Sequence, residues 1–230
     1  MDAVCFDLDG TLFDDRQYVR AGLLAAADVI DRETGVDLSA ELLEAYFRRG
    51  LTERTFDRVL DEHDLSTDLV PRLVTAYHAN SAPLVPFPDA ESTLEGLREA
   101  YDLAVVTGGT NGRTKLDRLG LTDYVDSVVV APARGWSKRD PEPFEVALGE
   151  LGARPDRTAV VGDRPAVDFG QPNRLGMLTV RVRRGRYATT AASEATASDI
   201  EVDSLAAVPN VLRREGGDGS TAIGADGRRE

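Results

Sequence analysis

From residue 89 to residue 182 the sequence alternates between helical and strand patterns with a regularity that few folds accommodate. A helix predicted over Asp89–Ala100 precedes the apolar run Leu103–Thr107, and one over Arg113–Leu119 precedes Ser127–Ala131. Another over Pro141–Leu151 precedes Thr158–Gly162, and one over Ala166–Leu175 precedes Leu178–Val182. Alternation at this spacing predicts parallel strands joined by right-handed crossovers. The runs LAVVT, VVVA and TAVVG are almost continuously apolar, as strands are when both faces of a parallel sheet are covered. A further apolar run, Ala3–Phe6, supplies a first strand at the start of the chain. The expected class is α/β, a doubly wound parallel sheet.

Residues 14–84 interrupt this rhythm with helical spacing and little strand pattern. Tyr18, Leu23, Leu24, Ala27 and Ile30 share one helix face, and Leu42–Phe47, Phe56–Leu60 and Leu69–Tyr77 give three more helices. This is a helical insertion, closed by Pro83, Pro86 and Pro88, which end the pattern before the sheet resumes. Beyond Gly185 the signal fades. Residues 188–215 are expected to form an extension with a short helix over Ser204–Arg214, and 216–230 a disordered tail.

Ligands of open α/β sheets bind outside the carboxyl ends of the strands, so the residues that end each strand matter most. The first strand runs into FDLDGTLF, where Asp7 and Asp9 stand two apart and, on extended backbone, leave it on the same side. Asp-Gly between apolar runs is also a hairpin signal, and on this stretch alone hairpin and enzyme stand even. A calcium loop fails on spacing, since its twelfth position would be Tyr18. Downstream, LAVVT ends on Thr107 with Gly108 and Gly109 behind it, and TAVVG on Gly162 with Asp163 and Asp168 following. Lys138 lies in the loop after VVVA. Singly, these are turn glycines, a helix cap and a surface lysine; their coincidence at one sheet edge favours a site. Carboxylates and carbonyl oxygen make the hard shell Mg²⁺ prefers, with substrate phosphate completing it. Thr107 and the glycine backbone offer hydrogen bonds to phosphate, and Lys138 offsets the negative charge. This chemistry suits phosphoryl transfer.

Composition narrows the setting. A net charge of −13 repels nucleic acid and acidic membranes, so neither is an expected partner. No apolar run reaches membrane-span length, and the opening strand leaves no room for a signal peptide, so the expected location is cytoplasmic. One cysteine, Cys5, excludes an internal disulfide and a thiolate cluster and is expected in the core. Acid in excess with only two lysines, Lys115 and Lys138, is similar to proteins of salt-loving, halophilic cytoplasms. Monomer and dimer are both open.

In order, DLDGT at Asp7–Thr11, VVTGG at Val105–Gly109, Lys138 in SKRDPEPF and VGDRPAVD at Val161–Asp168 resemble the four motifs of the haloacid dehalogenase superfamily of hydrolases, in the phosphoglycolate phosphatase-like group with a helical (C1-type) cap. The resemblance covers roughly residues 2–187. It implies a Rossmann-like core over residues 1–13 and 85–187 and a cap over 14–84 acting as a lid. It implies Asp7 as nucleophile forming an aspartyl-phosphate, and Asp9 as the acid and base. Mg²⁺ would be held by Asp7, the Asp9 carbonyl and Asp163, with Asp168 bound directly or through water. Thr107, Gly108 and Lys138 would hold the phosphate. Dehalogenating members lack an acid where Asp9 stands, so the chain looks like a phosphatase of small phosphorylated metabolites, with a sugar phosphomutase as runner-up and an idle ligand-binding member as outsider. Three positions depart from the family pattern: Gly108 stands for a usual Asn, which Asn111 replaces on one reading; Arg139 stands for Pro; and Pro172 falls where a small helical residue is usual. The cap arginines Arg48, Arg49 and Arg54 are expected in surface ion pairs, and His63 and His78 in structural roles.

Overall fold

The computed structural model describes residues 1–217. The chain divides into two compact units, one of Met1–Asp14 with the chain from Val85 onward, the other of Asp15–Leu84.

The first unit is built on six parallel strands: β1 Ala3–Phe6, β2 Asp102–Thr107, β3 Ser127–Val130, β4 Thr158–Gly162, β5 Leu178–Val182 and β6 Ile200–Val202. Their order is β3-β2-β1-β4-β5-β6, so the chain winds outward from β1 in one direction and then in the other. The reversal between β1 and β4 is the switch point at which such sheets leave a crevice. No hairpin follows β1, because both its neighbours are parallel. The backbone after it instead turns tightly, with Thr11 and Leu12 N–H groups donating to the Leu8 carbonyl. Crossover helices are α5 Ala90–Leu97, α6 Gly112–Arg118, α7 Glu142–Leu151, α8 Pro165–Asp168 and α9 Gly170–Leu175. Beneath one sheet face Cys5, Ala104, Val106, Val129 and Val160 pack against Phe144, Ala147 and Leu148 of α7. Burial pushes the Cys5 thiol up to about 12, which leaves it an inert core residue.

Two expectations change here. The single helix over Ala166–Leu175 is two, parted at Phe169. Pro172 explains the break: it has no N–H to donate and its ring would meet the carbonyl four residues earlier, that of Asp168, where α8 ends. The C-terminal stretch is also not an appendage beyond the sheet. β6 pairs with β5, and the helix expected from Ser204 is a short 3₁₀ turn, Leu205–Ala207, followed by α10 Val208–Gly217. Three residues with half-exposed faces carry too little apolar pattern to signal a strand. Polar bonds hold it instead: Asp199 accepts from the Thr179 N–H and hydroxyl, and Arg181 pairs with Glu201. Of the tail expected over 216–230, residues 216 and 217 belong to α10 and the rest lies outside the described residues.

The second unit is helical: α1 Arg16–Thr34, α2 Ser39–Phe47, α3 Thr55–Glu62 and α4 Val70–Ala79. Its core joins Leu23, Ala26, Ala27 and Ile30 of α1 to Leu42 of α2, Leu60 of α3 and Leu73 of α4. Arg49 pairs with Glu62 and Arg54 with Asp57, as expected of exposed arginines. Arg48 lies with Arg16 and Arg20 in a groove over Leu43 and Phe47. The Tyr18 hydroxyl is 3.2 Å from His78 Nδ1, a partner that spacing alone had not offered, while His63 follows α3 as its C-cap. No helix among the described residues is long and apolar enough to cross a membrane.

Candidate active site

Asp7 and Asp163 are the first residues after β1 and β4, the adjacent strands that flank the switch point. Because the register aligns Phe6 with Val161, the two strands end nearly level and their next side chains converge. Asp168, at the end of α8, completes the group: ligand oxygens of Asp7, Asp163 and Asp168 all lie within 4.8 Å of one another, and all three residues are buried. Gly10 makes room for this approach. Its φ of +94° suits only glycine, and a Cβ there would stand 2.5 Å from Asp163 Oδ2.

Lys138, 2% exposed, reaches this cluster from the loop after β3. Its Nζ donates to Asp7 Oδ1 at 2.7 Å and to Asp168 Oδ1 at 2.8 Å. Burial alone would favour the neutral amine, but the Asp168 and Asp7 carboxylates hold its pKa above the usual lysine range. Burial likewise raises the Asp7 carboxyl above the usual carboxylate range; Lys138 opposes this, while Asp168 and Asp9 add to it. Three buried carboxylates lie around one ammonium, which bonds two of them, Asp7 and Asp168, so acidic groups outnumber basic ones here. An all-oxygen donor set with that excess fits a hard divalent cation such as Mg²⁺.

Asp9 has separate partners. Its Oδ1 accepts from Lys115 Nζ at 2.6 Å, and its Oδ2 lies 3.4 Å from the Thr107 hydroxyl at the end of β2. Thr107 Oγ1 in turn accepts from the Gly109 N–H at 3.0 Å. Gly108 lies against Lys138, where an added Cβ would be 3.4 Å from the lysine's own. Gly108 and Lys138 also line a cavity of about 240 Å³ with Trp136, Ser137, Arg139 and Arg164. Asn111 takes a left-handed backbone, φ 59°, and opens α6, where its carbonyl accepts the Lys115 N–H.

The structure therefore brings together all the residues expected at the sheet edge: Asp7, Asp9, Thr107, Gly108, Lys138, Asp163 and Asp168. They form two neighbouring groups, one around Lys138 and one around Asp9. The residue that sequence reasoning missed is Lys115. The available signal was scarcity: both lysines of the chain are buried, and each ends on one carboxylate of the DLDG stretch.

A doubly wound sheet with paired carboxylates at its switch point is the framework of an α/β enzyme whose reacting groups are acids. Comparison with known proteins names the family. The model of haloacid dehalogenase-like hydrolases matches residues 1–170, and a second, HAD-hydrolase-like model matches 135–208. The chain belongs to the haloacid dehalogenase-like hydrolases. It is 36% identical over 198 residues to the glyceraldehyde 3-phosphate phosphatase of Methanopyrus kandleri, covering 80% of this chain and 85% of that protein. It is 32% identical over 199 residues to the ribulose-1,5-bisphosphate 5-phosphatase of Halopiger xanaduensis, covering 77% and 83%. Among solved structures, the HAD phosphatase from Thermococcus onnurineus superposes with a TM-score of 0.63 at 26% identity, covering 92% of this chain and 98% of that one.

Proposed function

We propose that the protein is a Mg²⁺-dependent phosphomonoester hydrolase acting on a small phosphorylated metabolite through an aspartyl-phosphate on Asp7. The observation that carries this reading is the division of labour between the two carboxylates: Asp7 is held by Lys138 within the acidic cluster, and Asp9 stands apart from that cluster beside Thr107. An attacking group and a proton-transfer group need this separation, because one must stay ionised while the other gains and loses a proton. The phosphatase names of its relatives support the same reading.

On this reading an Asp7 oxygen bonds to phosphorus as the ester P–O bond breaks, and the leaving oxygen takes its proton from Asp9. Water then attacks the aspartyl-phosphate, giving its proton to Asp9 and regenerating Asp7 with release of inorganic phosphate. Thr107, the Gly108 backbone and Lys138 hold the phosphoryl oxygens. Asp7, Asp163, Asp168 and the Asp9 carbonyl are the groups that would hold Mg²⁺. The bound cation supplies charge neutralisation of the carboxylates and of the phosphoryl oxygens. The inserted helical unit serves as the cap that chooses the leaving group. The charge of −13 with only two lysines supports a salt-adapted protein, to be assayed in high potassium chloride.

The test is phosphate release from a panel of phosphorylated metabolites, with and without Mg²⁺, beside Asp7→Asn. Mg²⁺-dependent release that the substitution abolishes is the expected result. A folded protein that releases phosphate from no member, or an Asp7→Asn protein that keeps its activity, would overturn the reading.

A further inference from the structure

Lys115 is 5% exposed, and a buried ammonium is tolerated only where something pays for its lost hydration. Here that partner is Asp9, from a segment 106 residues away. The geometry sorts the two oxygens of Asp9. Oδ1 is taken by Lys115 Nζ, whereas Oδ2 faces the Thr107 hydroxyl, the group assigned above to the phosphate. Gly109 permits the arrangement: a Cβ there would run into Asp9 Oδ2 and stand 3.0 Å from Lys115 Nζ. The Asp9 side chain nevertheless keeps 21% of its surface, so pairing with Lys115 does not close it off.

We propose that Lys115 is the positioning residue for Asp9, fixing one carboxylate oxygen so that the other, Oδ2, is the one that exchanges a proton with the leaving group and the attacking water. Lys115 does not touch the substrate in this scheme. The turn from Thr107 to α6, with Gly109 and Asn111 within it, brings the lysine back over Asp9. The inference rests on the phosphomonoesterase reading and refines it.

Leaving-group chemistry separates a role through Asp9 from a merely structural one. An alkoxide needs a proton as it departs and a nitrophenolate needs almost none, so in the formation of the aspartyl-phosphate, which kcat/KM reports, an interaction expressed through the acid matters only for the first; hydrolysis of the shared intermediate needs Asp9 as base with either ester. The experiment measures kcat and KM of the full-length protein with saturating Mg²⁺, on glycerol 1-phosphate and on p-nitrophenyl phosphate, for wild type, Lys115→Met, Lys115→Arg and Asp9→Asn, and for Asp9→Asn combined with Lys115→Met. Lys115→Met is expected to lower kcat/KM on glycerol 1-phosphate by about 10²-fold, the scale of a positioned acid, and kcat/KM on p-nitrophenyl phosphate by less than about 3-fold. Lys115→Arg should recover part of the loss. The double variant should be no slower than Asp9→Asn alone.

Equal losses of kcat/KM on both substrates would assign Lys115 a structural role and overturn the proposal. A rise in KM by the same factor on both substrates with kcat unchanged would make it a direct phosphate contact, which also overturns it. If Lys115→Met does not fold, Lys115→Gln takes its place, and an unchanged ratio of kcat/KM between the two substrates overturns the proposal. Phosphate release by the wild type from the metabolite panel is read first: if no member is hydrolysed, the parent reading and this one fall together; the best alkyl ester of the panel replaces glycerol 1-phosphate where that ester is not a substrate, and hydrolysis with an unchanged ratio removes Lys115 alone.

Discussion

The helical unit and the sheet unit bury different kinds of side chain. Within Asp15–Leu84 the buried residues are apolar apart from Thr55, and Arg49, Arg54 and Arg72 form ion pairs on the surface. In the sheet unit Asp7, Lys115, Lys138, Asp163, Asp168 and Arg181 are at most 7% exposed, and all but Arg181 gather at the carboxyl edge of the sheet. Removing charges from water costs several kcal/mol each unless partners compensate. Burial in the helical unit is thus explained by stability. The five charges at the strand ends oppose stability taken singly, and their concentration at one edge is explained by chemistry.

The sharpest way to break this contrast is Asp7→Asn. If the carboxylate is there for reaction, turnover should fall by at least about 10³-fold, while the melting temperature stays level or rises as one charge leaves a crowded site. A large loss of stability would place Asp7 with the structural residues. Lys138→Met works in the opposite sense, since it leaves Asp7 and Asp168 facing each other without their shared ammonium. It should cost about 3–5 kcal/mol in denaturant unfolding, and added Mg²⁺ should restore part of that. Leu42→Ala provides the apolar counterpart: a fully buried side chain in the helical core, whose truncation should cost about 2–5 kcal/mol with no response to Mg²⁺. A Mg²⁺-dependent loss there would erase the distinction between the units.

The smallest expected effect concerns Asp89, which joins the start of α5 to the C-terminal segment. Its carboxylate pairs with Arg184 at 2.6 Å and accepts from the Ser204 hydroxyl and the Leu205 N–H. Burial opposes its ionisation, but Arg184, Ser204 and the Leu205 N–H overcome this and lower its pKa to about 2 from the ordinary 3.8. A group depressed in the folded state contributes stability above its unfolded pKa and loses it as pH falls through the folded one. Stability from Asp89 should therefore be full above about pH 4 and disappear between about pH 4 and pH 2. Asp89→Ala should cost about 1–2 kcal/mol at neutral pH and flatten that acid limb, as followed by urea unfolding across the range.

How far the sequence reaches follows from the range of the interactions concerned. β4 and β5 have the bounds that their apolar runs predict, because a strand buried on both faces writes its burial into consecutive residues. Asp7, Thr107, Lys138 and Asp163 were also legible, since the fold's topology places every strand end at one edge whatever the details of packing. β6 was not, because its order comes from Asp199, Glu201 and Arg181 bonding across to β5 rather than from an apolar pattern of its own. The break after Asp168 was half legible: Pro172 signalled a disturbance, but its place, one turn earlier, follows from the carbonyl the ring would strike.

The sequence by itself determined the α/β class, the helical insertion and the carboxylates at the strand ends, because periodicity and short motifs are local and survive without knowledge of the packing. Only the tertiary structure decided which lysine serves which carboxylate. Lys138 meets Asp7 across 131 residues and Lys115 meets Asp9 across 106, and each pairing depends on how a loop or helix returns over the sheet. No local pattern encodes that return, and the low dielectric that makes the pairing matter exists only once the chain has folded around it.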